Sequence, residues 1–94
     1  MAYEFIIHTN LSEKNCEEIE NLMQLSSLFY KKEKVFGALY YLLKDKNEYI
    51  NISIRISKDE LFISQFTSSN VWHQINFIKE YLENHKIEYE IKEL

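Results

Sequence analysis

Isoleucine occupies positions 50, 52, 54 and 56, with Asn51, Ser53, Arg55 and Ser57 interleaved. Side chains alternate between the two faces of a β-strand, so this spacing gathers the isoleucines on one face and the polar residues on the other. The same residues on a helix would be scattered around its whole circumference. The stretch therefore predicts a sheet with one buried face, which the other elements must cover.

A length of 94 residues limits how much cover is available and predicts one domain over residues 1–94. Folding at this size buries roughly 60–70% of the surface that the unfolded chain exposes, which allows one modest core. The 46% hydrophobic content, with 15% aromatic residues, suffices for that core and excludes a disordered chain. With no Pro and one Gly, turns must be made from Lys, Asp, Asn and Ser, and a glycine-rich phosphate cradle is excluded.

Before the isoleucine strand, residues 3–8 read as a strand, with Tyr3, Phe5 and Ile7 opposite Glu4, Ile6 and His8. Ser12 is a candidate N-cap for an amphipathic helix over residues 13–31, with Cys16, Ile19, Leu22 and Met23 on one face. Residues 35–43 are apolar at nearly every position, and periodicity alone does not separate strand from helix there. Gly37, the tyrosine pair and the polar turn over residues 44–47 favour a strand in a hairpin with the isoleucine strand.

After it, a turn over residues 57–60 leads to a strand over residues 61–67. Residues 67–70 offer several N-caps for a second helix over residues 71–84, with Val71, Ile75, Ile78 and Leu82 facing the core. A last strand covers residues 87–94, with Ile87, Tyr89 and Ile91 inward and Glu88, Glu90 and Lys92 outward. Because it follows a helix, it can pair in parallel with an inner strand.

The expected architecture is a two-layer α+β fold, a mostly antiparallel sheet with two helices on one face, in the order β-α-β-β-β-α-β. A helical segment over residues 35–43 would instead give the ferredoxin-like order β-α-β-β-α-β. In the first order no helix remains to cover the face carrying Asn51, Ser53 and Arg55.

Motifs for catalysis are missing from this sequence. His8, His73 and His85 include no i, i+4 pair, so neither a metal nor another cofactor is expected. Cys16 falls on the core face of its helix, where cysteine behaves as a small hydrophobe. The serines lack the glycine-flanked elbow that exposes a nucleophile. No enzymatic activity is expected.

Charge and aromatic content point to binding. The net charge of −4 and the single Arg argue against nucleic acid and favour a basic protein partner. The acids that alternate outward are Glu17, Glu18 and Glu20 on the first helix and Glu88 and Glu90 on the last strand. Seven Tyr, six Phe and one Trp exceed what so small a core needs, and Trp72 and Tyr81 are candidates for an interface. Asn51, Ser53 and Arg55 on the uncovered sheet face complete the expected partner-binding set.

The first residues lack the basic segment and long apolar run of a secretory signal, and no membrane span is present, so a cytoplasmic location is expected. These features describe an acidic, non-enzymatic protein of the inhibitor or immunity type that neutralises a basic partner such as a toxin nuclease. The alternative is a small-molecule-binding regulatory α+β domain, monomeric or a homodimer.

Overall fold

The isoleucine stretch forms strand β4 (Ile50–Ile56) of a six-stranded antiparallel sheet. The computed structural model describes residues 3–66 and 71–94; the proposed N-caps over residues 67–70 and the Val71 side chain lie outside the described residues. Around β4 the chain forms β1 (Tyr3–Thr9), α1 (Glu13–Leu25), β2 (Phe29–Val35), β3 (Ala38–Lys44), β5 (Glu60–Gln65), α2 (Val71–Asn84) and β6 (Tyr89–Glu93). Across the sheet the order is β2-β3-β4-β5-β1-β6.

Period-two alternation carries through to packing. Ile52 and Ile54 are fully buried, and Ile54 pairs with Tyr41 of β3 on one side and Ile63 of β5 on the other. Ile7 of β1 lies opposite Leu61 of β5. These side chains form one cluster with Ile19 and Met23 of α1 and Ile75, Ile78 and Leu82 of α2. Each aliphatic side chain so buried contributes about 1.5–3 kcal/mol of transfer free energy. Both helices thus cover the isoleucine face, and the α+β layering is the one read from the pattern.

Topology explains why one face takes both helices. The antiparallel ladder makes β1 run parallel to β2 and β5 parallel to β6. Helix α1 links the first pair in one direction across the sheet, and α2 links the second pair in the other direction. Strand direction reverses together with the direction of travel, so crossovers of one hand place both helices on the same side.

Three local features depart from the sequence reading. First, α1 stops at Leu25 rather than near Lys31. Its C-cap, Ser26, has an extended backbone (ψ 137°), and its hydroxyl accepts a hydrogen bond from the Leu28 amide. Second, the next residues form an added strand, β2, so the order is β-α-β-β-β-β-α-β. The strand expected at residues 35–43 is present as β3, but Val35 belongs to β2. Phe36 (φ 49°) and Gly37 (φ 82°) turn between Val35 and Ala38, which pair. Two positive φ values in a two-residue loop mark a type I′ turn. No helix forms over residues 35–43, so the condition for the alternative order is not met, although the elements other than the β2–β3 hairpin run β-α-β-β-α-β.

Third, β6 pairs antiparallel with β1 at the sheet edge instead of parallel with an inner strand. Helix α2 ends before it in a Schellman turn, in which the Ile87 and Lys86 amides donate to the Leu82 and Glu83 carbonyls, with Lys86 left-handed (φ 55°).

Candidate partner-binding surface

The first helix is anchored by a capping box. The Ser12 hydroxyl accepts from the Asn15 amide at 3.1 Å, and the Asn15 side chain accepts from the Ser12 amide at 3.0 Å. This sets the direction of the acids that follow, and they do not form one free patch. Glu13 pairs with Lys58 at 3.4 Å, and Glu18 accepts a 2.6 Å hydrogen bond from the Tyr81 hydroxyl. Glu20 is half-buried near Tyr41, whose phenol is held protonated above its usual range first by burial and then by that carboxylate. The Tyr41 hydroxyl has no hydrogen-bond partner among the described residues. Of the three acids expected here, Glu17 alone is exposed.

Tyr81, Trp72 and Asn51 are also engaged within the fold. Tyr81 is 6% exposed and its ring stacks on His85 with 4.0 Å between centroids. Trp72 meets Phe5 edge-on at 5.3 Å and carries Lys79 over its ring at 5.5 Å. Asn51, expected on the uncovered face, is fully buried beneath α2 and donates to Gln74 at 2.5 Å. The cause is a shift in register: Leu43 pairs with Ile52, but Lys44 pairs with Ile50. Asn51 is the extra residue of a β-bulge, which breaks strict alternation and redirects its side chain to the helix side.

Ser53 and Arg55 do lie on the uncovered face. Ser53, 8% exposed, sits between Leu42 and Ser64 in the ladder. Arg55 reaches Glu60 at 3.4 Å and lies over the Phe62 ring at 5.4 Å. Beside them, Glu33, Val35, Tyr40, Leu42, Ser53 and Phe66 border a groove of about 210 Å³.

The remaining two expected acids stand at the far edge of the sheet. Glu88 and Glu90 are exposed and have no ion-pair partner among the described residues. With His8, Thr9, Asn10 and Tyr89 they border a shallow cleft of about 460 Å³. The Thr9 hydroxyl donates to the Glu88 carbonyl at 2.9 Å, and the Tyr89 hydroxyl donates to Glu83 at 2.7 Å, which fixes this segment against β1 and α2. Among the described residues the outer edge of β6 is unpaired. The opposite edge strand, β2, is basic, with exposed Lys31, Lys32 and Lys34. The protein is therefore polarised across its sheet, which a net charge alone does not disclose.

One feature of this surface was not anticipated by pattern reading. Phe36 at the tip of the β2–β3 hairpin is fully exposed. The available signal was the four-residue run from Val35 to Ala38 with Gly37 at the second central position. A bulky aromatic at the first central position conceals it, because that position favours Asn or Asp.

Cys16 packs against the core, and burial, followed by the Glu20 charge, raises its thiol pKa, the opposite of an activated nucleophile. Among the described residues no group of three His, Cys, Asp or Glu side chains is placed to hold a metal ion, and no helix is long and apolar enough to cross a membrane. Comparison with protein-family models, curated proteins and solved structures finds no match to this chain.

Proposed function

We propose that this protein is a non-enzymatic, acidic binding protein of the inhibitor or immunity type, which engages a basic protein partner through the β6 edge. The observation that carries this reading is the pair of exposed, unpaired carboxylates Glu88 and Glu90 beside a strand edge with free backbone groups. An edge of that kind can accept an extended segment by strand addition, and the carboxylates select a segment bearing Lys or Arg. Desolvation of a partner's cations against these acids would cover a basic active site such as that of a nuclease.

The acids of α1 support this reading less, because Glu13 and Glu18 are already paired. A small-molecule site draws less support as well. The groove of about 210 Å³ on the uncovered face is smaller than the roughly 300–1,000 Å³ usual for a ligand pocket, and the cleft of about 460 Å³ beside Glu88 and Glu90 is large enough but shallow, without the enclosure such pockets have.

The experiment is capture of a basic partner on the immobilised protein, measured for the native chain, Glu88→Lys/Glu90→Lys and Glu17→Lys. The expected result is binding that weakens with salt, is lost in the β6 double variant and survives in Glu17→Lys. Binding that persists in the double variant would reject the β6 edge as the docking site.

A further inference from the structure

The uncovered face of the sheet has an order of its own. The pairings Glu33–Tyr40, Tyr40–Arg55, Arg55–Phe62, Phe62–Ile6 and Ile6–Lys92 join six residues into one row, one from each strand. From one edge to the other it reads Glu33, Tyr40, Arg55, Phe62, Ile6, Lys92. The row is complementary to its own reverse. Read against itself backwards, Glu33 meets Lys92, Tyr40 meets Ile6, and Arg55 meets Phe62, each combination occurring twice.

We propose that this face is the interface of a homodimer, in which two copies stack their sheets face to face about a two-fold axis running along the strands. Such an axis lays β2 of one copy over β6 of the other and reverses the row. An acid then faces a lysine at each rim, a tyrosine ring faces an isoleucine, and a guanidinium faces an aromatic ring at the centre. The last combination is of the cation–π kind, and the same two residue types already meet within one copy, where Arg55 lies 5.4 Å from its own Phe62 ring centroid. The other in-plane axis, across the strands, would set Glu33 on Glu33, Arg55 on Arg55 and Lys92 on Lys92, and like charges reject it.

Size and shape are consistent with this occupant. Six strands about 4.8 Å apart and roughly five residues long present on the order of 500 Å² per copy, or ~1,000 Å² together, the lower limit of a specific interface. Stacked sheets cross at about 30°, which displaces the rim pairs by ~6 Å, within reach of two long side chains, and leaves the central pairs nearly in register. Ile6 of the second copy would lie over Tyr40, at the border of the groove whose floor includes Leu42 and Ser53. The face mixes both signs of charge, so it suits a second copy better than a uniformly basic partner. The backbone edge of β6 stays outside this contact, but Glu90, two residues from Lys92, shares the face, so the dimer and the partner proposed for that edge would compete for it.

Sedimentation equilibrium over a concentration series tests the arrangement with the full chain. The native chain is expected to dimerise with a dissociation constant on the order of 10 µM. Glu33→Lys and Lys92→Glu should each weaken the dimer about 3–10-fold, because each creates two like-charge contacts, and the double variant should recover the native value within about twofold. Neither side chain has a partner inside the chain among the described residues, and circular dichroism would confirm that the variants keep the fold. A native chain that is monomeric at all concentrations would overturn the proposal, as would single variants that leave the dimer unchanged or a double variant that fails to restore it.

Discussion

The Tyr81 hydroxyl donates a 2.6 Å hydrogen bond to the Glu18 carboxylate and accepts one of 3.1 Å from the Asn15 side-chain amide, joining α2 to α1 in a partly buried setting. The same Asn15 closes the capping box on Ser12, so one side chain both caps a helix and braces it against its neighbour. Tyr81→Phe keeps the ring but removes the donor to a charged acceptor. Urea denaturation is expected to show a loss of about 1–2 kcal/mol. Glu18→Gln should be non-additive with it, since the two changes remove one interaction.

The phenols also give the fold an alkaline limit. Tyr81 is raised by burial and then by its bond to Glu18, Tyr89 by its bond to Glu83 and then by burial, and Tyr41 by burial and then by Glu20. In the unfolded chain each ionises near pH 10. The folded state holds these protons to higher pH, so above about pH 10 the unfolded state binds fewer protons and stability falls as pH rises. Their contribution is fully present below that pH. Thermal unfolding between pH 8 and pH 11 should show this decline, and Tyr81→Phe should flatten it.

Asn51 and Gln74 form the buried polar link between the β-bulge and α2, where the Gln74 amide also donates to the Lys44 carbonyl at 3.2 Å. Asn51→Ala leaves the partly buried Gln74 side-chain oxygen without this donor, while the Gln74 amide keeps the Lys44 carbonyl. The expected cost is about 1–3 kcal/mol. A double-mutant cycle with Gln74→Ala checks the cause, and a coupling of at least about 0.5 kcal/mol is the predicted outcome.

Phe36 and Lys86, like Glu48, hold left-handed backbone that other residues adopt with less strain. Phe36 sits at φ 49° with its ring fully exposed, and Lys86 sits at φ 55° at the end of α2. Phe36→Asn suits the type I′ turn, and Lys86→Gly suits the Schellman position. Each should stabilise the protein by about 0.5–1 kcal/mol and raise its melting temperature by ~3–6 °C in calorimetry.

How far the fold can be read from residues alone depends on whether an element advertises its own period. The isoleucines of β4 and the positions Ile75, Ile78 and Leu82 of α2 do, because one face of each element is buried and the pattern records it. Strand β2 does not. Residues 31–35 are all exposed, so no apolar alternation marks them. Phe29 and Tyr30 continue the helical spacing of α1 closely enough to hide the break at Ser26.

The candidate site divides in the same way. That Glu17, Glu88 and Glu90 point to solvent follows from their positions on amphipathic elements. That Glu18 is bound by Tyr81 requires α1 and α2 to meet across 63 residues of chain. Asn51 shows the limit most directly, since a single inserted residue in the β3–β4 register turns it from the uncovered face to the core.

Local periodicity by itself determined a sheet with one buried face and helices to cover it, because side-chain direction in each element is a property of a few consecutive residues. Only the tertiary structure decided the edge strand and the complementary row running across six strands. Both depend on which strand lies beside which, and backbone hydrogen bonds between distant segments form that order without leaving a mark in any one of them.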